Sequence, residues 1–201
     1  AGKSPISRIL SGADPLTSGT RKTGHKVEIS HFAQDHAEKL NPEKTVLQTV
    51  EDSAAREVAG NLRSLLGCFL FRGDSVFKQV SVLSGGERCR LSLAKLLLKP
   101  ANCLILDEPT NHLDMQSQQI LQEALKAYQG SCMIVSHNRD FLDPITDKVI
   151  EFYPAKKTPR IFLGNLSDFI DKKSQELADV TSTGKAEPPL DHKGIKKPSL
   201  H

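Results

Sequence analysis

Cys103-Leu104-Ile105-Leu106-Asp107-Glu108-Pro109-Thr110-Asn111-His112-Leu113-Asp114 is the stretch whose reading decides the fold. A short, unbroken apolar run is the pattern of a strand buried on both faces, as in the middle of a parallel sheet. Two adjacent acids follow at its carboxyl end, where open α/β sheets bind ligands. An isolated Asp-Glu pair is more often a solvated acidic turn. Here the buried strand before it and Pro-Thr-Asn after it favour a site. Outward from this stretch, a helix is expected from about Gln116 to Tyr128 and a strand over residues 131–136, ending at His137. A short helix follows near Asp140. Upstream, a helix runs from Ser84 to about Lys99, where Pro100 stops it. Strands alternating with helices argue for an α/β layer fold with a mostly parallel sheet flanked by helices.

The outer segments are read by the same signals. Ile6, Ile9 and Leu10 stand at helical spacing, with Gly12 as a helix stop. Residues 21–34 look extended, Val27 and Ile29 alternating with polar neighbours. Asn41-Pro42 resembles an N-cap with proline at the first helical position, opening Val46-Leu47-Val50. Ala54, Ala55, Val58, Leu62, Leu65 and Leu66 make one broad helical face closed by Gly67. Residues 53–82 thus interrupt the alternation, and a helical subdomain over about 42–98 is expected as an insertion. Ile161-Phe162-Leu163 reads as a last strand and 167–178 as a short helix. The tail from about Val180, rich in Pro, Gly, Ser and Lys, reads as disordered.

Composition sets the class. With 201 residues, 38% hydrophobic and 25% charged, the chain can bury an ordinary globular core. No apolar run approaches the ~20 residues of a membrane span, and no signal peptide is visible, so a cytoplasmic protein is expected. Cys68, Cys89, Cys103 and Cys132 have neither C-x-x-C spacing nor histidines at metal-ligand intervals. Cys103 and Cys132 are therefore read as small buried hydrophobes in strands. The net charge of +3 permits contact with RNA without arguing for it.

Four further elements carry chemistry. Gly2-Lys3-Ser4 is the tail of G-x-x-x-x-G-K-[ST], a loop whose N–H groups cradle phosphates, whose Lys reaches the β- and γ-phosphates and whose hydroxyl binds Mg²⁺. Taken alone it is equally a flexible helix start. Pro5 is sterically acceptable in a first helical turn but lacks the N–H that would donate to phosphate, a bond worth about 1–3 kcal/mol. Asp107 would hold Mg²⁺ through water, and Glu108 would orient and deprotonate an attacking water. Ser84 and Glu87 form a capping box, S-x-x-E. That does not explain Gly85 and Gly86, which weaken a helix by about 1 kcal/mol each and would let a phosphate approach the helix N-terminus. Gln34 and His137 are weak signals individually. A histidine after a strand is more often structural, but after an acid-tipped strand His137 becomes a γ-phosphate contact, and Gln34 a partner for Mg²⁺ and water.

In this order Lys3-Ser4, Gln34, Leu83–Glu87, Leu104–Glu108, Asn111–Asp114 and His137 resemble the ATPase domain of ABC proteins, with a P-loop NTPase-type fold. Glu87 in the signature, Pro109–Asp114 and Ser136–Leu142 point to the F subfamily, which the chain resembles over about residues 1–170. The resemblance implies that Gly2, Lys3 and Ser4 belong to Walker A and Gln34 to the Q-loop. It makes Ser84, Gly85, Gly86 and Glu87 the signature, which contacts ATP held by a second ABC domain. Asp107 is then the Walker B acid, Glu108 the catalytic base, Asp114 the D-loop acid and His137 the switch histidine. Ser4, Gln34 and Asp107 would surround Mg²⁺.

The function so implied is ATP hydrolysis in a ribosome-associated translation factor. A transporter's nucleotide-binding subunit and an ATP-clamped scaffold without turnover are the alternatives. Asn138 departs from the Asp common after the switch histidine, and Pro5 from the usual Thr. The chain begins inside the phosphate-binding loop, so strands are expected upstream of residue 1. Residues 1–170 then form a truncated ABC domain, and 171–201 a short helix and tail. Lys156, Lys157, Arg160, Lys172, Lys173, Lys196 and Lys197 are read either as rRNA contacts or, more commonly for such runs, as solvated charge.

Overall fold

The computed structural model describes residues 3–33, 37–54, 62–152 and 158–183. They fall into two compact units that divide between Asp147 and Lys148.

The first unit is built on a three-stranded sheet, β1 (Ile29–Phe32), β2 (Cys103–Asp107) and β3 (Ser131–Val135), in the order β1-β2-β3. Both pairings are parallel, Ile29 facing Cys103 and Cys103 facing Ser131. Leu104, Ile105 and Leu106 are all buried, as expected of a central strand covered on both faces. Helix α1 (Lys3–Ser11) packs against all three strands and ends at Gly12, whose φ of +85° is the left-handed stop read from the sequence.

Helices α2 (Val46–Glu51), α3 (Leu62–Cys68) and α4 (Gly85–Leu97) pack on one another around Val46, Val50, Leu66 and Leu91, all fully buried. This group joins the same hydrophobic core as Leu104 and Leu106 of the sheet. Two 3₁₀ turns, Gly73–Phe77 and Val80–Val82, lead into α4. Helices α5 (Met115–Ala127) and α6 (Arg139–Leu142) flank β3 in sequence. The second unit is an antiparallel hairpin, β4 (Lys148–Glu151) and β5 (Arg160–Leu163), followed by α7 (Leu166–Thr183). Arg160 makes a bidentate pair with Glu176 at 2.6 and 2.5 Å, Lys173 pairs with Glu151, and Phe162 meets Phe169 at 5.7 Å.

Several expectations shift in detail. Helix α2 is capped by Thr45 in a full capping box with Gln48, not by Asn41, whose side chain accepts from Glu43 N–H in a local turn. Gly67 lies inside α3. The stop is Leu70, at φ +66°, in a Schellman arrangement: Phe71 N–H donates to Leu66 C=O at 2.8 Å and Leu70 N–H to Gly67 C=O at 3.1 Å. Among the described residues of the extended stretch 21–34, only β1 pairs as strand. Helix α7 continues through Val180 to Thr183, since no glycine or proline interrupts it before Gly184. Cys132 is exposed, since β3 is an edge strand of the sheet among the described residues; Cys103, at the first position of β2, is half-buried, and the buried cysteine is Cys89. All four are free thiols. Arg160 and Lys173 are held in ion pairs within their unit, and the Lys172 ammonium lies 5.5 Å from the centre of the Phe162 ring. Lys156, Lys157, Lys196 and Lys197 lie outside the described residues.

Candidate active site at the carboxyl ends of the parallel strands

The strand β2 delivers Asp107 to the end of the sheet with only 8% of its surface exposed. A buried carboxylate needs donors, and the hydroxyl of Ser7 donates to Asp107 Oδ2 at 3.1 Å. Ser7 is itself fully buried on α1. Lys3 and Ser4 form the first turn of that helix. At 1.5 Å of rise per residue, the helix opening therefore lies about 6 Å along the axis from the residue that meets Asp107. Pro5 fits in this turn because the first N–H groups of a helix have no intrahelical acceptor. Gly2 and Gln34 lie outside the described residues. Ser7 was not expected at the site. Its signal is a hydroxyl on a helix whose neighbouring positions, Ile6, Ile9 and Leu10, are apolar.

Glu108 leaves the strand in a left-handed conformation, φ +48°. For a residue with a Cβ this costs about 1–2 kcal/mol. The turn is held from both sides: Glu108 N–H donates to Val135 C=O at 2.8 Å, and Glu108 C=O accepts from Asn111 N–H at 3.2 Å. His112 is also left-handed, φ +67°. Strain of this kind concentrates at functional sites, where the surrounding structure enforces it. The result aims the Glu108 carboxylate toward the end of β3. There His137 Nε2 stands 3.6 Å from Oε1 and His137 N–H donates to Oε2 at 3.4 Å. The imidazole is largely exposed while the carboxylate is mostly shielded. Asp107, Glu108 and His137 are thus brought together by the parallel register of two strands.

Ser84 caps α4 in the expected box: its hydroxyl accepts from Glu87 N–H at 3.2 Å and its own N–H donates to Glu87 Oε2 at 2.7 Å. Those bonds, the Ser84 N–H first, hold the Glu87 carboxyl below the usual carboxylate range. The two glycines have different reasons. A Cβ on Gly86 would stand 3.2 Å from the carbonyl oxygen of His112, so its bareness serves packing against the 108–114 turn. A Cβ on Gly85 would meet nothing within 4 Å, which leaves that N–H approachable. A cavity of about 230 Å³ lies between this turn of α4 and Glu108, lined in part by Phe32, Gly85, Cys89, Glu108 and His112. Burial pushes the Cys89 thiol up to about 11, so it stays a neutral packing group.

Asp114 caps α5, its Oδ1 accepting from Ser117 N–H at 2.8 Å. Arg90 reaches across from α4, with Nη1 3.2 Å from Ser117 Oγ and 3.5 Å from Asp114 Oδ2. Hydrogen bonds from Ser117, and then Arg90, hold the Asp114 carboxyl below its ordinary value. Sequence reasoning did not single out Arg90; nothing in its spacing separates it from any helix-surface arginine.

The donor set at the acids suits a hard cation. Among the described residues no group of three or more His, Cys, Asp or Glu side chains could form a cage. The oxygens at hand are the buried Asp107 carboxylate, held by the Ser7 hydroxyl, and the Glu108 carboxylate that follows it in the chain. Mg²⁺ is bound this way, by one or two carboxylates together with water and substrate phosphate.

Residues 1–111, just over half of the chain, match the family described as ABC transporter. The chain belongs to the ABC transporter family. It is 40% identical over 176 residues to the putative ATP-binding protein YdiF of Bacillus subtilis (strain 168), covering 88% of this chain and 27% of that protein. It is 41% identical over 151 residues to ABC transporter F family member 5 of Arabidopsis thaliana, covering 75% of this chain and 22% of that one. It is 49% identical over 146 residues to the ATP-binding protein Uup of Haemophilus influenzae, covering 71% of this chain and 22% of that one. The chain thus spans about a quarter of the length of these relatives, and the F-branch resemblance read from the motifs is borne out. Among solved structures it resembles the archaeal ribosome recycling factor aABCE1 in complex with the ribosomal stalk protein aP1. The TM-score is 0.66 at 22% identity, over 88% of this chain and 35% of that one. It also resembles the ATP-binding cassette MJ0796, in a dimer bound to ADP and Pi, with a TM-score of 0.61 at 19% identity, over 79% of this chain and 80% of that one. These likenesses carry the fold: the parallel sheet with its helices is that of an ATP-binding ABC domain. Among the described residues no helix is long and apolar enough to cross a membrane.

This geometry sets two expected outcomes. Gly86→Ala should lower the melting temperature by displacing the His112 carbonyl, whereas Gly85→Ala should leave folding within about 1 kcal/mol of the native protein; thermal denaturation of both variants separates the two roles. The Asp114 cap should contribute about 1 kcal/mol relative to Asp114→Ala. Because its carboxyl titrates below the ordinary 3.8, that contribution is present above this value and disappears as pH falls through the lowered one. Denaturant unfolding of both proteins between neutral and acid pH should show the two stability curves converging only at the acid end.

Proposed function

We propose that this chain is the ATP-hydrolysing part of an ABC-F protein acting at the ribosome. The single observation that carries the reading is the Glu108 turn: a strained, shielded carboxylate beside a buried Asp107 and within 3.6 Å of His137. In this reading the first turn of α1, with Gly2, Lys3 and Ser4, binds the triphosphate through N–H groups and the lysine ammonium. Ser4, Gln34 and Asp107 hold Mg²⁺, which when bound neutralises charge on the β- and γ-phosphate oxygens. Ser7 keeps the Asp107 carboxylate oriented. Glu108 accepts a proton from the attacking water, and the water oxygen displaces ADP from the γ-phosphorus in line. His137 hydrogen-bonds the γ-phosphate and positions Glu108. Asp114 and the signature residues Ser84, Gly85, Gly86 and Glu87 face a second ABC domain, whose ATP they close over.

The pairing is supported by the dimeric arrangement named for the cassette MJ0796, and the ribosomal setting by the recycling factor aABCE1. Both are fold-level analogies. A cytoplasmic location accords with this reading. The test uses the intact protein. Glu108→Gln should slow ATP turnover at least about 10²-fold, as loss of a general base does. It should also retain unhydrolysed ATP and accumulate on ribosomes in a sedimentation assay. Wild-type turnover in this variant would refute the catalytic assignment; trapped ATP without ribosome association would refute only the partner.

A further inference from the structure

The Leu113–Asp114 turn and the Ser136–Asn138 turn are joined by an element that neither motif contains. Gln118, on the first turns of α5, donates through Nε2 to Leu113 C=O at 3.0 Å. Its Oε1 accepts from Asn138 Nδ2 at 2.9 Å. Asn138 Oδ1 in turn accepts from Phe141 N–H at 3.1 Å and caps α6. A backbone acceptor at one end and a backbone donor at the other fix the orientation of both amides, so the chain of bonds has only one polarity. Asn138 N–H also donates to Ser136 Oγ at 3.1 Å, and His137, between them, faces Glu108.

We propose that Gln118 and Asn138 form an amide relay that positions His137 against the Leu113–Asp114 turn, and that residue 138 must be an amide for the relay to hold. This rests on the proposed hydrolytic role of Glu108 and His137. Aspartate would cap α6 as well as asparagine does. It offers no donor, however, to Gln118 Oε1. If the Gln118 amide turned to present its NH₂ to the carboxylate, its oxygen would face the Leu113 carbonyl, and that bond would be lost instead. Either way one joint of the relay opens. Gln118 and Asn138 are positioning residues in this scheme, acting through His137 and the turn.

Asn138→Asp therefore separates capping from relay. In the intact protein, Asn138→Asp, Gln118→Leu and the double variant are compared by steady-state ATP turnover, thermal melting and hydrogen exchange, with Glu108→Gln alongside. The expected result for Asn138→Asp is a melting temperature within a few degrees of the native one, since the cap of α6 is kept. Its kcat should be about fivefold lower, the factor that one lost hydrogen bond supplies, with KM for ATP unchanged. Exchange at the Leu113 N–H should be faster. Gln118→Leu should lower kcat by a similar factor and the double variant no further, since both open one relay. Native kcat in Asn138→Asp, a loss of kcat that tracks a fall in melting temperature, or losses that multiply in the double variant would each overturn the relay. If Glu108→Gln abolishes turnover while Asn138→Asp does not alter it, the relay alone fails; if Glu108→Gln turns over normally, the hydrolytic reading fails and takes the relay with it.

Discussion

The structure depends on β2 being paired on both sides. Parallel ladders to β1 and β3 leave Leu104, Ile105 and Leu106 almost no exposure to water, so the strand is anchored over its whole length. The turn at its carboxyl end starts from that fixed point and is held further by the Glu108 N–H bond to Val135 C=O and the Asn111 N–H bond to Glu108 C=O. A strained Glu108 and a buried Asp107 are tolerable there because apolar burial in the preceding residues of the strand offsets their cost. The same ladder, running one bond further through Glu108 N–H to Val135, brings His137 to the acids. Position in the site is a consequence of sheet register.

Around that end the 108–114 turn acts as a junction. Helix α4 meets it through Gly86 against the His112 carbonyl, the Cys89 thiol donating to Asn111 C=O at 3.7 Å, and Arg90 at Ser117 and Asp114. The turn after β3 meets it through Thr110 and Ser136, whose hydroxyls lie 3.5 Å apart and are both buried, and through Asn138 with Gln118. Helix α4 and the turn after β3 thus pack against the same short stretch of chain.

Parallel strands make such a junction economical. Their carboxyl ends all lie on one side of the sheet, so β2 and β3 present their trailing residues side by side although 28 positions separate Asp107 from Val135. The polar groups of each turn then satisfy one another: Ser7 with Asp107, Ser84 with Glu87, Asp114 with Ser117. Each of these carboxylates is thereby fixed in direction by a donor from its own surroundings.

The local pattern of the chain was enough for the alternation of strands and helices, for the acid-tipped strand, the Ser84–Glu87 box and the family resemblance. Each depends on residues a few positions apart, where periodicity and capping chemistry are visible in one dimension. The stop of α3 escaped it, because Leu70 takes a left-handed conformation that its side chain does not advertise; the turn is enforced by packing. Cys132 was misjudged for a related reason: a strand's apolar pattern does not say whether it lies at the middle or the edge of a sheet. The partners of Asp107, the reason for Gly86, the reach of Arg90 and the Gln118–Asn138 bond were decided only by the fold. Hydrogen bonds and close approaches across 20 to 100 positions of chain arise when helices and strands are placed against one another, and no spacing rule encodes them.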